Sequence, residues 1–177
     1  MYHEVIKVPK ERIAVLIGKK GSVRKKIEEI FNVKLTINSE EGLVKIESDD
    51  SLSLFESVPA IKAIARGFNP KVIEKLKSEE FFLEILNIED YVGKSKKAVI
   101  RIKARLIGTD GKARKELELM TNTNISVYGK TVSILGKYDN VKLAKEGVEE
   151  LLKGAPHSNA YRYVINKKKK DAERNNF

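Results

Sequence analysis

The sequence predicts an α+β fold built twice: two small domains, each running β-α-α-β-β-α, with a three-stranded sheet covered on one face by three helices. Three observations carry this. First, the chain repeats itself at an offset of 90, pairing Ile17 with Ile107, Gly18 with Gly108, Gly21 with Gly111, Arg24 with Arg114, Lys25 with Lys115 and Glu28 with Glu118. Second, each copy interrupts a helical pattern with Gly-x-x-Gly and then resumes it. Third, two short alternating segments follow in each copy. They pair Leu35 with Ile125 and Ile37 with Val127, then, after a turn two residues shorter, Val44 with Val132 and Ile46 with Ile134.

The elements follow in order. Residues 4–8 alternate and read as a strand. Pro9 suits a first helical turn, so 10–17 read as a helix that Gly18 and Gly21 end. Ser22 caps or opens a second helix, 22–31, with Val23, Ile27, Ile30 and Phe31 on one stripe. Strands 33–38 and 43–47 turn at Glu41-Gly42, and 51–66 read as a third helix despite Pro59. The second copy gives a strand at 82–88, helices at 95–107 and 112–121, strands at 124–128 and 131–135 around Gly129-Lys130, and a helix at 138–153. The expected boundaries are a first domain over 1–67, a helical linker over 68–80 carrying Val72, Ile73 and Leu76, a second domain over 81–154 and a basic tail over 155–177. That tail is read either as disordered or as a helix extended by nucleic-acid contact.

Composition narrows the function. The 177 residues hold 35 Lys+Arg against 25 Asp+Glu, for a net charge of +10. The excess is concentrated: residues 7–26 carry +7, residues 94–115 carry +8 and residues 161–177 carry +4, leaving the remainder at −9. Concentrated basic patches in an otherwise acidic chain point to a polyanionic ligand, although charge runs also form plain solvated helix faces. Cysteine is absent, which excludes disulfides, Cys-ligated zinc, iron–sulfur clusters and thiol nucleophiles. The apolar run Ile13 to Ile17 is too short to span a bilayer, and the first residues lack the apolar stretch of a secretory signal, so a cytoplasmic protein is expected. His3 and His157 stand in no metal-ligand spacing, and the carboxylate pairs are adjacent residues, which do not share a helix face. No P-loop, dinucleotide fingerprint or nucleophile elbow is present. The expectation is a protein that is not an enzyme and needs neither cofactor nor metal.

The glycine breaks supply the candidate site. A glycine pair lets the backbone turn tightly and lets a phosphate approach without a Cβ in the way, while the next helix offers free N–H groups and its positive dipole end. Lys19 and Lys20 lie inside the first break, with Arg24 and Lys25 one turn on; Thr109 and Asp110 lie inside the second, with Lys112, Arg114 and Lys115 after it. In this order of elements, G-x-x-G between two helices resembles the KH family of RNA-binding domains, of the type I topology. In that family the GXXG loop clamps the backbone of four nucleotides and the bases lie across an apolar groove. The resemblance places this groove along Ile13, Leu16 and Ile17 beside Leu35–Ile37, and along Lys103, Leu106 and Ile107 beside Ile125–Val127. It assigns RNA contact to Arg12, Gly18, Gly21, Ser22, Arg101, Arg105, Gly108 and Gly111 as well as to the loop and helix residues above. Asp110 stands where the first copy has Lys20, and an acid there weakens the local pull on phosphate.

The stretches RGFNP, YVGKSKKAVIRIKARLIGTDGKARKELE, SVYGKTVSILG and GAPHSNAYRYV further resemble the tandem-KH assembly factors of the small ribosomal subunit in archaea and eukaryotes. That resemblance spans roughly residues 4–165. It implies binding of single-stranded RNA near the 3′ end of small-subunit rRNA during maturation. The implied associates are the rRNA dimethyltransferase, the PIN-domain endonuclease that trims that end and, in archaea, the alpha subunit of initiation factor two. In the eukaryotic members the first GXXG is degenerate, whereas Gly18-Lys19-Lys20-Gly21 is intact here. The competing expectations are a KH protein acting on other RNA or single-stranded DNA in transcription or decay, and a KH-fold scaffold that chiefly binds proteins.

Overall fold

A computed structural model describes residues 1–176, which fall into two units, Met1–Phe81 and the chain from Phe82 onward. In the first unit, β1 (Tyr2–Lys7), β2 (Lys34–Asn38) and β3 (Leu43–Ser48) form an antiparallel sheet in the order β1-β3-β2. The register sets Ile6 and Ile37 opposite Val44, and Leu35 opposite Ile46. Alternation along β3 sends Val44, Ile46 and Ser48 inward. Helices α1 (Lys10–Ile17), α2 (Ser22–Phe31) and α3 (Ser51–Ala65) complete the unit. Their buried residues Leu16, Ile27, Phe31, Ile61 and Ile64 join the inward face of the strands in one core. Asp50 caps α3 by accepting from Leu52 N and Ser53 N.

The second unit repeats this plan. β4 (Phe81–Asn87), β5 (Asn124–Tyr128) and β6 (Thr131–Lys137) order as β4-β6-β5, with Ile125 opposite Ile134 and Val127 opposite Val132. Three helices correspond to those of the first unit: α6 (Lys96–Ile107), α7 (Lys112–Thr121) and α8 (Tyr138–Leu152). Their core includes Ile88, Val99, Ile102, Leu106, Leu117, Ile134, Val148 and Leu151.

Three features differ from the sequence expectation. Residues 68–80, expected as a helical linker between domains, are part of the first unit: Pro70–Val72 make a single tight turn and the short helix α4 (Ile73–Leu76) follows. Phe68, Val72, Ile73 and Leu76 are all buried, so the apolar spacing read as a helix is a docking face. A short helix, α5 (Glu89–Val92), precedes α6; four residues are too few for a periodic signal. Of the two readings of Ser22, the structure bears out the second: Ser22 opens α2, the cap position is Gly21, and no side chain caps the helix. The segment read as a basic tail folds as α9 (His157–Asn175), with Ala160 and Val164 buried in the second unit's core. Its final residue, Phe177, lies outside the described residues. Gly147 of α8 lets α9 approach, since a Cβ there would lie 2.7 Å from Val164 Cγ2. Tyr163 Oη donates to Glu146 Oε2 at 3.0 Å, and Lys168 Nζ donates to the Met120 carbonyl at 3.1 Å.

Candidate nucleic-acid interface

The two glycine loops have one backbone. Gly18 lies at φ 72°, ψ 174° and Gly108 at φ 73°, ψ 175°. Lys20 and Asp110 share φ 54°, with ψ 29° and 27°. Gly21 and Gly111 follow at φ 77° and 73°. The first glycine of each loop is required twice over. Its φ is positive, and a Cβ at Gly18 would lie 2.5 Å from Val23 Cγ2, one at Gly108 2.8 Å from Ala113 Cβ. The second glycine needs only its φ, for nothing lies within 4 Å of a Cβ at Gly21. Gly21 N donates to the Gly18 carbonyl and Gly111 N to that of Gly108, both at 3.2 Å, closing each loop on itself.

This geometry explains Asp110. The third loop position is left-handed in both copies, and Asp adopts that conformation more readily than most side chains. The acid suits the backbone while lowering the local charge. Lys19, Lys20, Thr109 and Asp110 are exposed, and α2 and α7 begin beside them without a side-chain cap. Ser22, Lys25, Arg101, Lys112 and Lys115 are exposed as well. Lys115 Nζ reaches back to the Asp110 carbonyl at 3.4 Å. The loops thus present exposed backbone, the positive end of the following helix and nearby ammonium groups to an approaching anion.

Several residues assigned to RNA do other work. Ile13, Leu16, Leu106 and Ile125 are core residues, sealed from any base. Apolar spacing marks both core and groove, and only burial separates them. Ile17, Ile37, Ile107 and Val127 are half-buried and remain available, as is Lys103. Arg12 donates from Nε to the Ile64 carbonyl and from Nη2 to that of Phe68, each at 2.8 Å, which ties α1 to the end of α3. Arg105 likewise donates to the Leu151 carbonyl at 3.4 Å and to that of Ala155. Both guanidiniums close helix ends instead of standing free for phosphate.

Arg24 and Arg114 are engaged too. Arg24 Nε meets Glu28 Oε1 at 3.3 Å, and that oxygen accepts from Leu35 N at 2.8 Å. In the second copy Arg114 Nη1 meets Glu118 Oε1 at 3.1 Å and the Ile125 carbonyl at 3.2 Å, while Glu118 Oε1 accepts from Ile125 N at 2.7 Å. The repeated Arg-x-x-x-Glu is therefore a clip joining the helix after each loop to the next strand. Its signal was the Glu28–Glu118 pairing in the repeat.

One feature escaped sequence reasoning. Ile100, Ala104 and Ile107 stand at i, i+4 and i+7 on α6, forming a stripe that leads to Gly108. Ile100 is 68% exposed, and Ala104 is exposed as well. The first copy has Ala14 and Ile17 in the matching places. An exposed isoleucine inside a basic helix was the available clue.

The family comparison decides what such a site is. Residues 82–169 match the eukaryotic-type KH domain, KH-domain type I, and residues 3–57 match the general KH domain. A KH domain-containing protein of Methanocaldococcus jannaschii is 44% identical over 94% of this chain and 74% of its own length. The chain belongs to the KH family. Another KH relative, the RNA-binding protein pno1 of Dictyostelium discoideum, is 24% identical over 96% of this chain and 73% of its own. Among solved structures, aDim2p of Pyrococcus horikoshii OT3, crystallised with a/eIF2α and rRNA, matches at 41% identity and TM-score 0.87, covering 96% of this chain and 95% of that one. The two Gly-x-x-Gly breaks lie one in each of the two stretches matched by the KH models. Among the described residues no group of His, Asp and Glu side chains could hold a metal ion.

Proposed function

We propose that this chain is a non-catalytic, cytoplasmic factor of small-subunit maturation that holds the single-stranded 3′-terminal region of small-subunit rRNA in its GXXG loops. The observation that carries this reading is the pair of loops with matching torsions, each opening onto an uncapped helix N-terminus. Such a loop lets phosphate approach the backbone closely, at the positive end of a helix, in a shape already formed. The rRNA crystallised with aDim2p supplies the chemical class of the ligand. The half-buried Ile17, Ile37, Ile107 and Val127, with the Ile100–Ala104 stripe, give bases an apolar surface beside each loop. On the same reading, partners are the alpha subunit of initiation factor two, the rRNA dimethyltransferase and the PIN-domain endonuclease. The protein then masks or presents the RNA end and cuts nothing itself.

Phosphates carry no sequence information, so the test must cancel them. Oligonucleotides of the rRNA 3′ end are compared with scrambled ones of equal length and composition at physiological salt. The expected preference is at least about tenfold, or ~1.4 kcal/mol. Equal binding to both leaves a KH protein of some other RNA, and no binding leaves a scaffold.

A further inference from the structure

A recess opens beside the GXXG loop of the second unit. Gly108 and Thr109 of the loop, Lys112, Ala113 and Glu116 of α7, and His157 and Tyr161 of α9 line it. The first unit has no counterpart among the described residues, because α9 belongs to the second unit. His157 Nε2 lies 2.8 Å from the Arg105 carbonyl at the end of α6, so the ring is held where the loop begins. The His157 and Tyr161 rings stand 6.2 Å apart at 46°, giving two aromatic faces one helical turn apart. Ala160 and Val164 anchor that turn in the core. Burial, and then the Glu116 carboxylate, push the Tyr161 hydroxyl above its ordinary range, which agrees with a sheltered ring near that acid.

We infer that this recess takes one nucleobase of the same RNA strand, next to the nucleotides held by the loop. The inference rests on the clamp reading above. The recess shares a wall with the loop, so a strand leaving the clamp reaches it without a gap. Tyr161 and His157 supply flat faces for stacking, which every base accepts. Lys112 stands by for the linking phosphate. Glu116, as a carboxylate, only accepts hydrogen bonds. It therefore favours adenine, cytosine or guanine, which carry an exocyclic amino donor, over uracil, which has a carbonyl acceptor where cytosine has its amino group and only the ring N3–H to donate.

The test uses the full chain and single-stranded RNAs of four to eight nucleotides, titrated by calorimetry. Once the RNA outgrows the clamp, affinity should rise by about tenfold, as one stacked base brings. Tyr161→Ala should abolish this rise and leave the four-nucleotide affinity alone. Glu116→Ala, at an exposed position where folding is not at stake, should remove the preference for cytosine over uracil at the added position. A rise that survives Tyr161→Ala, or a base preference that survives Glu116→Ala, overturns the recess while the clamp stands. Wild-type protein that binds none of these RNAs overturns both.

Discussion

At the scale of single residues, the loop glycines divide by what surrounds them. Gly18→Ala and Gly108→Ala meet both a positive φ and an occupied space, whereas Gly21→Ala and Gly111→Ala meet the φ alone. The first pair should destabilise its unit by more than about 1 kcal/mol, and by more than the second pair, in urea unfolding. Loop charge separates from loop shape. Replacing Lys19 and Lys20 by Asp, or Thr109 by Asp, alters exposed side chains, so stability should change by less than about 0.5 kcal/mol. RNA affinity should nonetheless fall, more for Thr109→Asp because the second basic patch is the larger; filter binding equal to wild type in both variants would refute the clamp. The glycine pattern was legible in the sequence because backbone constraints leave residue-type signatures. The roles of Arg12, Arg105, Arg24 and Arg114 were not, since a guanidinium that closes a helix end and one that grips phosphate look alike until the carbonyl or carboxylate partner is placed.

At the scale of elements, the strands and main helices were legible from periods of two and 3.6. For α9 a helix was one of two open readings, but its docking was not legible, because a charged run ending in KKKKDAERN shows only two buried positions, and these depend on Gly147 making room. Residues 68–80 showed their apolar spacing but not that it docks on the domain before them. The short α5 is tied down by chemistry that spacing does not reveal: Tyr91 Oη donates to Glu149 Oε1 at 2.7 Å, joining it to α8. Burial, with the Glu149 bond next, pushes the Tyr91 hydroxyl up to about 12. The unfolded hydroxyl ionises near its ordinary 10, so this contribution is intact below pH 10. It is lost as pH rises through 10 to 12, where the unfolded chain releases a proton that the folded unit retains. Denaturant unfolding across that window should show stability declining, and Tyr91→Phe should flatten the decline. An unchanged pH profile in the variant would assign the loss to other groups.

At the scale of the whole molecule, the number of engaged units is readable from salt. A KH domain holds about four nucleotides and so about three phosphates. Single-strand binding loses about 0.7 log units of affinity per log unit of salt for each phosphate contact. One engaged unit should give a slope of about −2 and two about −4 on that rule. A slope near zero would favour the scaffold over the RNA clamp.

The matched loop torsions also bear on time. Lys19-Lys20 brings two positive charges to a backbone that Thr109-Asp110 furnishes with one negative. Long-range attraction governs how fast a polyanion arrives, and close contacts govern how long it stays. On the proposed reading, and on a strand long enough to reach either loop, the first copy would serve capture and the second, with its wider apolar stripe and its recess, residence. Duplication would in this way split arrival from departure, leaving one backbone to serve two rate constants.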